Sequence, residues 1–152
     1  MKSISSTLAF TFVAAVTFIY LFLAVAMVPY WQTLDGTEIQ IWWSGPFTNF
    51  STIMVPIHLL SMVTITFGFI KHRQDKTVLR VLWIVALVGL FVCQGFNFIY
   101  YGGTLNPALQ SGNLSEAEAI VTFDDWDFYH TVRTAFAGLS LIALMKIVVA
   151  KK

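Results

Sequence analysis

Residues 125–149 read DWDFYHTVRTAFAGLSLIALMKIVV, and the fold turns on how this stretch is read. A membrane-spanning helix needs about 20 mostly apolar residues, and the stretch qualifies although it carries Arg133 inside it. Trp126, His130 and Arg133 stand at i, i+4 and i+7, so a helix places them on one face. An ionisable side chain at membrane depth is costly, and it marks a functional site by default.

Working outward, three further runs have the same character, so the expected spans are residues 6–28, 47–70, 78–101 and 125–149. The chain is 57% hydrophobic and 11% charged, whereas a soluble domain carries roughly 25% charged residues. Its 152 residues therefore read as one integral membrane domain, 1–152. The net charge of +1 offers no basic field for nucleic acid. The single cysteine, Cys93, excludes an internal disulfide and reads as a small buried apolar residue. The apolar run at residues 7–28 is too long for a signal-peptide core of roughly 7–15 residues, so it reads as the first span.

The charges predict an orientation. Lys2, then Lys71, Arg73, Lys76 and Arg80, then Lys146, Lys151 and Lys152 fall on one side of an even number of spans. The positive-inside rule makes that side cytoplasmic, with both termini, in a plasma membrane or a bacterial inner membrane. Asp35, Glu38, Glu116, Glu118, Asp124, Asp125 and Asp127 fall on the outer side.

The basic connection is short, which favours antiparallel neighbours, so the fold class is all-α: a four-helix up-down-up-down bundle. The outer connections, residues 29–46 and 102–124, read as longer loops. Tyr30, Trp31, Trp42 and Trp43 fit an interfacial aromatic belt. Ser115 followed by Glu118 fits a capping box, which predicts a short helix over 116–122. Asp124, Asp125 and Asp127 then sit at the start of the fourth helix, where negative charge complements the dipole. Pro56 inside the second span predicts a kink and a freed Thr52 carbonyl. Nearby Ser and Thr side chains are expected to bond across helices.

Polar residues gather in the outer halves of the spans: His58, Gln94, Asn97, His130 and Arg133. With Trp126 they predict a polar pocket between the helices that binds or acts on a small apolar molecule. Three chemistries are open to it. A neutral histidine beside arginine can serve as a general base next to an anion stabiliser. Two histidines on different helices, His58 and His130, can ligate haem. A quinone can exchange protons with histidine. No local metal-ligand spacing occurs, so no metal site is expected. For each polar residue a structural role, as an interhelical tie, stands beside the functional one.

The segment Leu105-Asn106-Pro107-Ala108-Leu109, an acidic spacer, and Trp126-x-x-x-His130-x-x-Arg133-Thr134 resemble the anthrone oxygenase-like family of small four-helix membrane proteins. Pro29 after the first span, and a second span rich in aromatics and bearing a proline, are also similar. The resemblance implies oxidation of an anthrone to an anthraquinone by dioxygen without a cofactor, and carries to Asn106, Trp126, His130 and Arg133. It implies His130 and Arg133 as catalytic residues, the first removing a C–H proton and the second holding the enolate oxygen, with Phe91, Phe96, Phe98, Tyr100 and Phe128 as apolar walls around a flat aromatic ligand. The rivals are a non-catalytic membrane subunit, alone, as a homo-oligomer or within a larger complex, and a haem- or quinone-binding protein.

Overall fold

In a bilayer only intra-segment bonding satisfies every backbone group of an isolated apolar run, and each run here folds as a helix. The structure, a computed structural model, describes residues 2–150. Four long helices make it up: α1 over Ile4–Trp31, α2 over Gly36–His72, α3 over Thr77–Gln110 and α4 over Glu116–Ala150.

Contacts show that they alternate in direction. At one end, His72 near the end of α2 meets Ser5 and Ser6 near the start of α1. Its ring also stacks on Trp83, early in α3. At the other end, Trp31 packs against Trp126, and Trp43 and Trp126 both reach Asn106. This is the expected up-down-up-down bundle.

The expected long outer loops are corrected. Most of residues 29–46 and 102–124 is helix, and the turns left between helices are short. Proline explains the misreading. Pro29, Pro46 and Pro107 each lack the N–H that a regular α-helix needs, which reads as a stop. Here the chain widens into π-helix at or just before each of them, over Leu23–Met27, Trp43–Phe47 and Asn97–Leu105. The wider turn absorbs the missing bond and the helix continues.

The predicted capping box forms, with Ser115 N–H donating to Glu118 Oε2 at 2.9 Å. The helix it starts does not end at Thr122 but runs unbroken to Ala150. Asp124, Asp125 and Asp127 are therefore not at a helix start. Asp127 instead accepts from Gln32 Nε2 at 3.1 Å, clipping α4 to the end of α1. A second capping box, Asp35 with Glu38, opens α2.

The expected cross-helix bonds from α2 are also corrected. Ser51, Thr52, Ser61 and Thr64 donate to carbonyls of their own helix. Thr17 does bridge helices, donating to the Ala137 carbonyl at 3.2 Å.

The core has three layers. Near the His72 end lie Ile65, Trp83, Leu90, Leu144 and Ile147. The middle holds Val16, Tyr20, Met54, Cys93 and Ala137. At the far end Trp31, Trp43, Phe47, Phe123 and Trp126 form an aromatic cluster. Trp31 and Trp43 are buried there and are not belt residues, while Tyr30 is exposed. The helix exteriors are apolar, with Phe18, Ile53, Val63, Phe67, Val78 and Val149 all exposed. A surface of this kind on helices long enough to cross a bilayer is that of an integral membrane protein.

Candidate functional site

The face predicted on α4 exists and points inward: Trp126, His130 and Arg133 are all buried. The Trp126 and His130 rings stack at 4.9 Å and 10°. Trp126 is held at its indole N–H by Asn106 Oδ1, at 3.1 Å, and the same oxygen accepts from Trp43 Nε1 at 3.2 Å. One amide oxygen thus ties α2, α3 and α4 together.

Arg133 sets the polarity of the surrounding hydrogen bonds, because a guanidinium has only donors. Its Nε and Nη2 reach His130 Nδ1 at 3.2 and 2.8 Å, so that nitrogen is the acceptor. His130 Nε2 then carries the hydrogen and donates to the Tyr20 carbonyl at 3.0 Å. Arg133 Nη1 donates to Asn97 Oδ1. That fixes Asn97 Nδ2 as a donor, to the Tyr20 hydroxyl and to Gln94 Oε1, both at 2.7 Å. Gln94 Nε2 is left buried with no partner among the described residues. The Tyr20 hydroxyl also meets His58 Nε2 at 2.9 Å.

No carboxylate among the described residues pairs with Arg133. Aromatic faces surround it instead, with its guanidinium carbon 3.8 Å from the Tyr101 ring centre, 4.5 Å from Tyr20 and 5.4 Å from Trp126. Such contacts offset part of the cost of burying a cation.

Beside this network lies a cavity of about 650 Å³, bordered by α2 and α3. Arg133, Asn106, His58, Asn97 and Gln94 all line it, as does Tyr20. His130 and Trp126 do not, and stand behind Arg133 as its supports. Of the expected aromatic wall only Phe98 is in place, and the apolar lining comes mostly from α2, including Phe47, Phe50, Met54, Val55 and Met62. Phe91 and Phe128 are exposed, and Phe96 and Tyr100 pack against Tyr129 and do not line the cavity. All three π-helical stretches reach it, through Leu23, Phe47, and Asn97 with Tyr101.

Sequence reading missed Tyr20, the hub that joins His58, Asn97 and His130. Its only signal is a hydroxyl in an otherwise apolar run. It also missed His72, whose Nδ1 lies 2.9 Å from Asp75 Oδ2 and whose Nε2 lies 3.3 Å from Ser5 Oγ, tying the helix ends at the opposite pole.

A haem held between His58 and His130 does not fit the residues. The Tyr20 ring lies against both imidazoles, at 5.6 and 5.8 Å, and both nitrogens of His130 are engaged. Among the described residues, no group of three or more His, Cys, Asp or Glu is placed to hold a metal ion. Compared with family models, curated proteins and solved structures, the chain matches none.

Proposed function

We propose that this membrane protein binds a small, largely apolar molecule in the α2–α3 cavity through an acceptor oxygen placed against Arg133. The observation that carries this reading is a buried guanidinium, without a carboxylate partner among the described residues, at the wall of a cavity otherwise mostly apolar. Arg133 uses three of its five N–H groups on His130 and Asn97, which leaves two for a ligand. Gln94 adds an uncommitted amide N–H nearby.

The reaction we assign to it, on the resemblance of Asn106, Trp126, His130 and Arg133 to the anthrone oxygenase-like pattern, is oxidation of an anthrone-type ketone by dioxygen. The balance is ketone plus O2 to quinone plus water. Arg133 and Gln94 hold the carbonyl oxygen and stabilise the enolate formed when the ring C–H is lost. The base is reassigned from His130, whose nitrogens are both taken, to the Tyr20–His58 pair at the cavity wall. The Tyr20 oxygen takes the C–H proton as its own hydrogen passes to His58 Nε2. The enolate carbon then bonds dioxygen to give a peroxide anion, which takes the proton back from His58 through Tyr20; the hydroperoxide loses its remaining C–H hydrogen with its outer OH as water, leaving the second carbonyl.

The test is anthrone turnover by the protein in lipid nanodiscs, followed by oxygen consumption and quinone absorbance. Arg133→Met is expected to lower turnover at least 100-fold while the helical circular dichroism persists. Unchanged turnover in a folded Arg133→Met protein overturns the reading. A second reading, a non-catalytic membrane subunit, is favoured by the aromatic cage, which satisfies Arg133 from within the chain. On that reading the wild-type protein turns over nothing and Arg133→Met unfolds. A quinone ligand would use the same acceptor-oxygen contacts.

The sidedness follows from the charges. Lys71, Arg73, Lys76 and Arg80 flank the α2–α3 turn, and we place that turn and both termini in the cytoplasm.

A further inference from the structure

We infer that the cavity is loaded sideways from the lipid, between α2 and α3, and that its ligand is an amphiphile with one oxyanion head and an apolar body. This rests on reading the cavity as a ligand site, and is independent of the reaction assigned there.

The route is set by where the walls close. Toward the α2–α3 turn the helices pack tightly: a Cβ added at Gly68 would collide with the Trp83 ring. At the opposite end the gap is latched twice, by Gln110 Nε2 donating to Thr48 Oγ1 at 2.9 Å and by Trp43 Nε1 donating to Asn106 Oδ1 at 3.2 Å. Between these two closures, Val55 and Leu59 of α2 and Phe98 of α3 line the cavity and are 55%, 52% and 67% exposed. They belong both to the cavity and to the apolar exterior, so the mouth opens on the surface that meets lipid tails. A molecule entering there must already be dissolved in the bilayer.

The head is set by hydrogen-bond polarity. The chain of bonds from Arg133 through Asn97 spends both amide oxygens as acceptors and the Asn97 amide hydrogens as donors, so what remains is donors: the spare Nη hydrogens of Arg133 and Gln94 Nε2. A site with a fixed positive charge and spare donors selects an ionised carboxylate, phenolate or enolate over an alcohol. Flat aromatic acids and fatty acids share that chemistry.

The test uses the full chain in neutral-lipid nanodiscs, with empty nanodiscs as the blank. The probes are 9-anthroate, the matched alcohol 9-anthracenemethanol, and oleate as competitor. We expect 9-anthroate to bind at least 10-fold tighter than the alcohol. Displacement by oleate shows that an acyl body is accepted, and failure of oleate to displace it assigns the site to flat aromatic acids. Gln94→Glu keeps the oxygen that Asn97 needs and replaces the free donor with an acid, so it should weaken 9-anthroate at least 10-fold. Val55→Trp, at the mouth, should slow association and dissociation each at least fivefold. Equal affinity for acid and alcohol, or a Gln94→Glu protein that binds 9-anthroate as before, overturns the head assignment. Binding with rates untouched by Val55→Trp overturns the lateral route alone. If none of the probes binds, the ligand-site reading of the cavity falls with both.

Discussion

Replacing Asn106 by leucine removes one oxygen and leaves two donors without an acceptor. Asn106 Oδ1 takes the indole hydrogens of Trp43 and Trp126, and both rings are fully buried. An orphaned buried donor costs about 1–3 kcal/mol. Two of them amount to about 2–6 kcal/mol, and leucine recovers roughly 1 kcal/mol or less at a half-buried position. The expected loss is therefore about 1–5 kcal/mol. Asn106→Asp keeps an acceptor and should lose less than half of that. Reversible unfolding in mixed micelles at graded dodecyl sulfate, read by tryptophan emission, measures both variants. Asn106→Leu should also shift the native emission, since Trp126 loses its anchor above His130. A leucine variant within about 0.5 kcal/mol of wild type, with unchanged emission, would refute the role given to Asn106.

Tyr20→Phe removes the hydroxyl that joins Asn97 to His58; turnover should fall at least 10-fold with ligand affinity kept, and an unchanged kcat would exclude the Tyr20–His58 pair as base. Gly68→Val drives two methyl groups into the Trp83 ring. It should destabilise the bundle by about 1–3 kcal/mol in the same unfolding assay, the usual range for overpacking. Lys76→Cys, in a Cys93→Ser background, should react with a membrane-impermeant maleimide only from the cytoplasmic side; labelling of intact cells from outside would invert the topology.

Legibility in the sequence depended on how local the cause of each feature is. Four spans follow from apolar run length alone. The shared face of Trp126, His130 and Arg133 follows from helical periodicity, and the Ser115–Glu118 box from a short motif. The Asn106–Trp126 bond joins residues 20 positions apart on different helices, so no local signal reports it. The span ends were not legible, because Pro29, Pro46, Pro107 and Gly102-Gly103 have the same signature whether a helix stops or widens. Nor was the burial of Trp31 and Trp43, since a tryptophan near a span end looks alike in a belt and in a core. Tyr20 escaped notice because its role comes from partners 38, 77 and 110 residues away.

The π-helical stretch Asn97–Leu105 leads straight into Asn106, the anchor of both indoles. A π-bulge amounts to one extra residue within an α-helix, and each residue turns the helix by about 100°. Deleting a single glycine from Gly102-Gly103 would take one residue out of this nine-residue widened stretch. Everything beyond it would then rotate by that angle, carrying Asn106 off its bearing on the tryptophans. The position of that amide is thus counted out along the chain, and a shortened sequence would keep its hydropathy profile while losing the tie between Trp43 and Trp126.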